Sequence, residues 1–259
     1  MGEDVRCDLT DSDALAAAVQ SARPDRVVHL AGVASVVHTD RESFHQINVG
    51  GTENLLRACA RLPSPPKVAL ASSSNVYGIH SGIISEEIIP APVSDYGRSK
   101  LAMEAVAATW ARHLPILIAR PFNYTGPGQS EKFLVAKIAA HFRRRASIIT
   151  LGNTQILRDF SDVADVVDDY LSLMDRDFEA FEAVNFCTGS AVSVASILQA
   201  FIEMTGHHPE VRQDEALLRN HDIPVLVGDP SKLVRLSGRA HHRPFATTLA
   251  KMLEAHVSS

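Results

Sequence analysis

Short runs of apolar residues alternate with longer amphipathic stretches through the first half of the chain. Arg26 to Ala31 (RVVHLA) is an almost unbroken apolar run stopped by Gly32; Lys67 to Ala71 (KVALA) and Ile116 to Ala119 repeat it, the last stopped by Pro121. Unbroken apolar character is what a strand buried on both faces requires, as in a parallel sheet covered by helices. Arg41 to Leu62 and Ser94 to His113 have helical length and composition. This strand–helix alternation predicts an α/β fold with right-handed crossovers.

Past about residue 122 the rhythm loosens. Gly126, Pro127 and Gly128 mark a loop, Ser147 to Leu151 a short strand, and Asp162 to Met174, Ser193 to Thr205 and Thr248 to His256 three further helices. The chain thus divides into a sheet domain over 1–122 and a smaller lobe over 123–259, partly interleaved with the first. In open α/β sheets, ligands bind beyond the carboxyl ends of the strands, so a cleft between sheet and lobe is the expected site.

With 259 residues, 46% of them hydrophobic, the chain can bury a large core, and a net charge of -5 argues against a nucleic-acid or anionic-membrane partner. The run Arg143, Arg144, Arg145 reads as a solvated helix end. Cys7, Cys59 and Cys187 are far apart and odd in number, as reduced cytoplasmic thiols are. The adjacent pairs His207-His208 and His241-His242 lack metal-ligand spacing, so no metal is expected. No signal peptide and no apolar run long enough to span a bilayer is read in the sequence.

The chemistry centres on Tyr96-Gly97-Arg98-Ser99-Lys100 and the upstream Ser72-Ser73-Ser74-Asn75-Val76-Tyr77-Gly78. On a helix, Tyr96 and Lys100 share one face. A phenol titrating near 10 is a poor acid or base at neutral pH, and a fixed ammonium one turn away brings it toward the working range. Ser73, at a strand end, can hydrogen-bond the same substrate oxygen. Catalytic roles are therefore expected for Ser73, Tyr96 and Lys100.

These segments resemble the extended short-chain dehydrogenases/reductases, also known as the NAD-dependent epimerase/dehydratase family, over nearly the whole chain. The resemblance implies a Rossmann-like, doubly wound parallel sheet with a smaller C-terminal substrate lobe, and NAD or NADP as cofactor. His29-Leu30-Ala31-Gly32-Val33-Ala34 is similar to the segment whose backbone lines the cofactor, and Asn48-Val49-Gly50-Gly51-Thr52 to the helix whose Asn supports the active site. Asp8-Leu9, before a helix cap at Thr10 and Asp11, resembles the acid that contacts adenine. Cofactor contacts are thus implied for Asp8, Leu9, Leu30, Ala31, Gly32, Asn48, Tyr96, Lys100 and Phe122. The family's Gly-x-x-Gly-x-x-Gly turn is not found in the chain. By analogy Val5 to Leu9 is the third strand, about 50 residues of a preceding βαβ unit are missing, and cofactor binding is weak. The residues that separate NAD from NADP would lie in that unit.

Arg120-Pro121-Phe122-Asn123-Tyr124-Thr125-Gly126-Pro127-Gly128 resembles a segment of the enzymes that act on GDP-linked hexoses. Leu157-Arg158-Asp159-Phe160 resembles their Arg-Asp-Phe segment, and Arg219-Asn220-His221-Asp222 the stretch that grips diphosphate and sugar, with Asn220 in place of the usual Pro. Substrate contacts are implied for Ser73, Ser74, Asn75, Asn123, Arg158, Arg219 and Asp222, with Arg158 open between a structural and a substrate-side role. Family dehydratases have an acid where this chain has Asn75, and no Cys/His pair is placed to epimerise carbons 3 and 5. The implied reaction is reduction of the 4-keto group of a nucleotide-linked 6-deoxyhexose by a cytoplasmic homodimer. A nucleotide-sugar 4-epimerase and a non-catalytic truncated homologue are the alternatives.

Overall fold

A computed structural model of the chain describes residues 5–33, 41–178, 180–217, 223–239 and 242–254. The strands are β1 (Arg26–His29), β2 (Lys67–Ala71), β3 (Gly82–Ile84), β4 (Ile116–Pro121), β5 (Asn123–Thr125), β6 (Ile148–Leu151), β7 (Leu157–Asp162), β8 (Phe181–Phe186), β9 (Ala191–Ser193), β10 (Glu210–Gln213) and β11 (Val225–Gly228). The α-helices are α1 (Ser12–Ala22), α2 (Arg41–Phe44), α3 (Thr52–Ala60), α4 (Asp95–Trp110), α5 (Leu134–Arg143), α6 (Val163–Met174), α7 (Val194–Thr205), α8 (Ser231–Ser237) and α9 (Phe245–Glu254). The chain forms two compact units, one of 1–79, 86–121 and 170–185, the other of 80–85, 122–169 and 186–259.

The first unit is α/β. Its sheet runs β1-β2-β4-β8, with the β1–β2 and β2–β4 pairs parallel. Val68, Ala69, Leu70 and Ile116 to Ala119 are fully buried, which accounts for their unbroken apolar run. Leu15 and Val19 of α1, Leu55, Leu56 and Cys59 of α3, and Met103 and Ala107 of α4 complete the core. Burial of each large aliphatic side chain contributes about 1.5–3 kcal/mol before chain entropy is subtracted.

The helix read from Arg41 to Leu62 is present but not uniform: a π-turn over His45–Gly51 separates α2 from α3. The strand expected over Val5 to Leu9 does not form. Residues 5–8 lie outside regular structure, and Val5 is exposed. A strand exists only as a paired element, and β1 is the edge strand of this sheet, hydrogen-bonded to β2. The chain instead turns at Asp8, and Asp11 caps α1 by accepting from Ala14 N at 3.0 Å.

The second unit has a sheet ordered β3-β11-β7-β5, with β9 antiparallel to β7, and a separate parallel pair of β10 and β6. Helices α5, α7 and α9 supply its core, where Phe142 stacks on Phe201 at 5.3 Å and Phe160 on Phe245 at 5.6 Å. The Arg143–Arg145 run does end α5, but two of its side chains are engaged. Arg143 donates to the Met252 carbonyl and Arg144 pairs with Glu131.

Candidate active site

The site begins with helix α4. Ser94 caps it, its hydroxyl accepting from Gly97 N at 3.0 Å, so Tyr96 lies in the first turn and Lys100 one turn further on the same face. Gly97 lets that turn seat against the serine segment. A Cβ there would lie 2.6 Å from the Asn75 carbonyl oxygen and 3.0 Å from Pro92, so any side chain would push the helix away. The Tyr96–Gly97 turn is therefore packed on the 3₁₀ turn Ser74–Tyr77 that follows β2.

Ser73 sits at the head of that turn, buried, with extended backbone. Its oxygen accepts from Asn75 N at 3.2 Å and from Asn75 Nδ2 at 3.0 Å. Both contacts use the oxygen as acceptor, which keeps the hydroxyl hydrogen for a further partner. Ser74 is buried beside it and Asn75 is exposed.

Tyr96 is half-buried, with the Phe44 ring 6.2 Å away, and the Lys100 ammonium lies 5.9 Å from its ring centre. Lys100 itself is buried and donates to the Ala71 carbonyl, the last of β2, at 2.7 Å. Burial lowers its titration to about 8, against an opposing pull from Glu104.

Asn48 joins three elements. Its Oδ1 accepts from Val33 N at 2.8 Å, and its Nδ2 donates to Val33 O at 3.1 Å and to Ser99 Oγ at 3.0 Å. Ser99 in turn donates to the Tyr96 carbonyl at 2.8 Å. The Thr52 hydroxyl donates to Asn48 O at 2.7 Å, so at 3.1 Å from His29 Nε2 its oxygen must be the acceptor. His29 is thereby fixed as the Nε2–H tautomer; burial, and then Lys100, hold its titration down to about 4. A continuous hydrogen-bonded path thus links β1, the π-turn and α4. The π-turn itself aims Asn48, a recurring use of such bulges.

The segment after β1 suits a nicotinamide dinucleotide. Leu30, Ala31 and Gly32 are exposed there, and a Cβ at Gly32 would lie 2.8 Å from Asn48 Oδ1 and 3.6 Å from Lys100 Nζ. Backbone without a side chain therefore lies next to the lysine, which a flat ring and its ribose require for close approach. Asp8 is exposed, its carboxylate accepting from Thr10 N and Oγ1, both at 2.8 Å, which lowers its titration. Leu9 is half-buried against Gly51, and its carbonyl accepts from Asn54.

The remaining expected site residues lie in the second unit. Phe122 is buried, its ring against Gly228. Asn123 is exposed and donates to the Asp159 carbonyl at 3.0 Å. Arg158 donates to the carbonyls of Leu157 at 2.9 Å and Ile223 at 2.7 Å, so its guanidinium supports the backbone beside the 219–222 stretch. Arg219 and Asp222 fall outside the described residues.

Two groups were given no role in the sequence reading. Glu104 holds Ser72 and receives a bidentate contact from Arg120 (3.0 and 2.6 Å), all three buried. Asp159 accepts from Thr188 N and Oγ1, Gly189 N and Gly228 N at 2.8–3.3 Å. Glu104 was detectable in sequence as the next residue on the face of Tyr96 and Lys100; for Asp159 the sign was its place in the Leu157-Arg158-Asp159-Phe160 segment, where only Arg158 was given a role.

Residues 3–187 match the NAD dependent epimerase/dehydratase family, and the chain belongs to it. Among curated relatives, GDP-6-deoxy-D-talose 4-dehydrogenase of Aggregatibacter actinomycetemcomitans is 36% identical, over 89% of this chain and 79% of the relative. GDP-6-deoxy-D-mannose reductase of Pseudomonas aeruginosa is 33% identical, over 90% of this chain and 80% of the relative. The solved structure of RMD from Pseudomonas aeruginosa complexed with NADPH superposes with a TM-score of 0.90 at 30% identity, covering 98% of this chain and 88% of that one. The class is thus that of NAD(P)-dependent enzymes, and among the described residues no helix is long and apolar enough to cross a membrane.

Proposed function

We propose that the chain exchanges hydride at carbon 4 of a GDP-linked 6-deoxyhexose, in the reductive direction converting GDP-4-dehydro-6-deoxy-D-mannose to a GDP-D-rhamnose-type product. The observation that carries this reading is the placement of Tyr96 and Lys100 on one face of α4, with Gly97 seating that turn on the Ser73–Asn75 segment. The names of two relatives support it, one a 4-dehydrogenase of a GDP-linked 6-deoxytalose and the other a GDP-6-deoxy-D-mannose reductase.

A bound nicotinamide supplies the hydride. Ser73, whose oxygen is already an acceptor for Asn75, donates its hydrogen to the sugar C4 oxygen and orients it. Tyr96 delivers the proton to that oxygen, and the Lys100 ammonium stabilises the phenolate that remains. Asn48, through Ser99, keeps the Tyr96 backbone in register with the segment after β1. Asn75 cannot serve as an acid, so no water elimination accompanies the reduction. Asp8, Leu9, Leu30, Ala31, Gly32 and Phe122 are assigned to the cofactor, and Ser74, Asn123, Arg158, Arg219 and Asp222 to the sugar nucleotide.

The test supplies GDP-4-dehydro-6-deoxy-D-mannose with NADPH or NADH and follows both. Equal loss of ketone and reduced nicotinamide is expected, with Tyr96→Phe lowering kcat by about 10²–10⁴-fold and leaving KM within a few-fold. Cofactor-neutral interconversion of C4 epimers would assign the protein as a 4-epimerase instead. Unchanged turnover in Tyr96→Phe would remove the phenol from the mechanism.

A further inference from the structure

Beneath the Tyr96–Lys100 pair lies a buried ionic group for which that reaction has no use. Glu104 follows Lys100 by one turn, so Tyr96, Lys100 and Glu104 form a single stripe down α4. Lys100 and Glu104 grip consecutive residues at the end of β2: Lys100 the carbonyl of Ala71, Glu104 the hydroxyl of Ser72. Ser73 comes next. The Glu104 carboxylate is itself fixed by Arg120 at the end of β4, and the same guanidinium donates to Tyr77 OH at 3.1 Å. Tyr77 donates to Asn185 Oδ1 at 2.6 Å, and Asn185 N donates to Glu86 at 2.7 Å. Every link is buried or half-buried, where a carboxylate is costly unless paired as this one is.

We propose that Glu104 is a positioning residue for the Tyr96–Lys100 site. Clamped by Arg120, its carboxylate fixes Ser72, and thereby the strand end that holds both Ser73 and the carbonyl accepting from Lys100, while placing a negative charge one helical turn from Lys100. The inference rests on the reading of Tyr96 and Lys100 given above. A plain apolar contact would hold strand to helix equally well; a buried charge does something more, because it acts on the charge state of the amine above it. Lys100 titrates near 8, lowered by burial and sustained by Glu104. Among the described residues, His29 on β1 and Tyr96 on its own helix face Lys100, and Arg120 on β4 and Tyr77 after β2 face its partner Glu104. Glu42 and His45, on the helical segment packed beside α4, are exposed. Among these, Glu104 is the anion on the lysine's own face.

The experiment records the side-chain NMR titration of Lys100 in the lysine-labelled full chain, with no cofactor added, for wild type and Glu104→Gln. The amide keeps the size and one acceptor but loses the charge, so the Lys100 midpoint should fall by about one pH unit. A residue that only packs would not move it. Should Glu104→Gln fail to fold because Arg120 is left unpaired, Glu104→Gln with Arg120→Met removes both charges at little cost in stability and is expected to show a smaller downward shift, because a cation is lost with the anion. In turnover, the alkaline limb of the kcat profile should move with the Lys100 midpoint while KM stays within a few-fold. A Lys100 midpoint unmoved in either folded variant overturns the proposal. Tyr96→Phe separates this outcome from failure of the underlying reading: full activity there, with the Lys100 midpoint still shifted by Glu104→Gln, would discard the catalytic assignment and leave the coupling of Glu104 to Lys100 standing.

Discussion

The Asp159 and Asp165 carboxylates of the second unit and the Lys100–Ser73 site of the first use buried polar groups in opposite ways. In the second, Asp159 accepts from Thr188 N and Oγ1, Gly189 N and Gly228 N, and Asp165 is held by Arg239 and Arg243; these carboxylates are spent on backbone and guanidinium donors that tie loops together. In the first, Lys100 gives one of its three donors to Ala71, and Ser73 accepts twice while keeping its hydrogen. Saturation and reserve are the difference. A buried ion whose bonding capacity is filled organises structure, whereas one held in place with capacity left over can act on a ligand.

Three measurements sharpen or break that contrast. The largest effect is expected at Asp159, where Asp159→Ala removes the acceptor of four donors; Gly228 N is left buried without it, while the Thr188 and Gly189 groups lie where water can reach them. At about 1–3 kcal/mol for the buried donor and about 0.5–1 kcal/mol for each of the others, a loss of about 3–4 kcal/mol should appear in chemical denaturation. A loss below about 1 kcal/mol would mean that the loops do not depend on it. Next comes Gly97→Ala, which drives a methyl group to 2.6 Å from the Asn75 carbonyl and should cost about 1–3 kcal/mol. Because that shift parts Tyr96 from the serine segment, turnover should fall further than stability does; equal losses would place the catalytic seat elsewhere.

The third effect follows from His29. Its imidazole titrates near 4 in the fold against 6.5 for a free histidine, so it stays neutral while the unfolded chain takes up the proton. Its contribution is complete above pH 6.5 and lost as pH falls toward 4, amounting to about 2 kcal/mol between pH 7 and pH 5. Denaturation curves at those two values, for wild type and His29→Gln, should show this loss only where the histidine is present. A pH slope unchanged in the variant would dissociate His29 from acid sensitivity.

Much of this architecture was legible before any coordinates. Lys67–Ala71 is a strand with the bounds its apolar run predicts, and α4 begins and ends within a few residues of the helix read from Ser94 to His113. Tyr96 and Lys100 follow from helical spacing alone. Other elements were hidden for identifiable reasons. The strand Leu157–Asp162 carries Arg158, Asp159 and Asp162, so it lacks the unbroken apolar run of a buried strand. Val5 to Leu9 has a strand's composition but no ladder to join, and composition cannot supply a partner.

What the order of residues determined by itself is the local part: buried strands, amphipathic helices, and a phenol one turn from an amine. Those rest on interactions between residues a few positions apart, which periodicity records directly. Tertiary structure decided the pairings that give the amine its environment: His29 with Thr52, Asn48 with Ser99, Arg120 with Glu104. Each joins residues at least 16 positions apart, at distances set by packing. A charge can be read from a letter, but its dielectric surroundings exist only once the chain has closed around it.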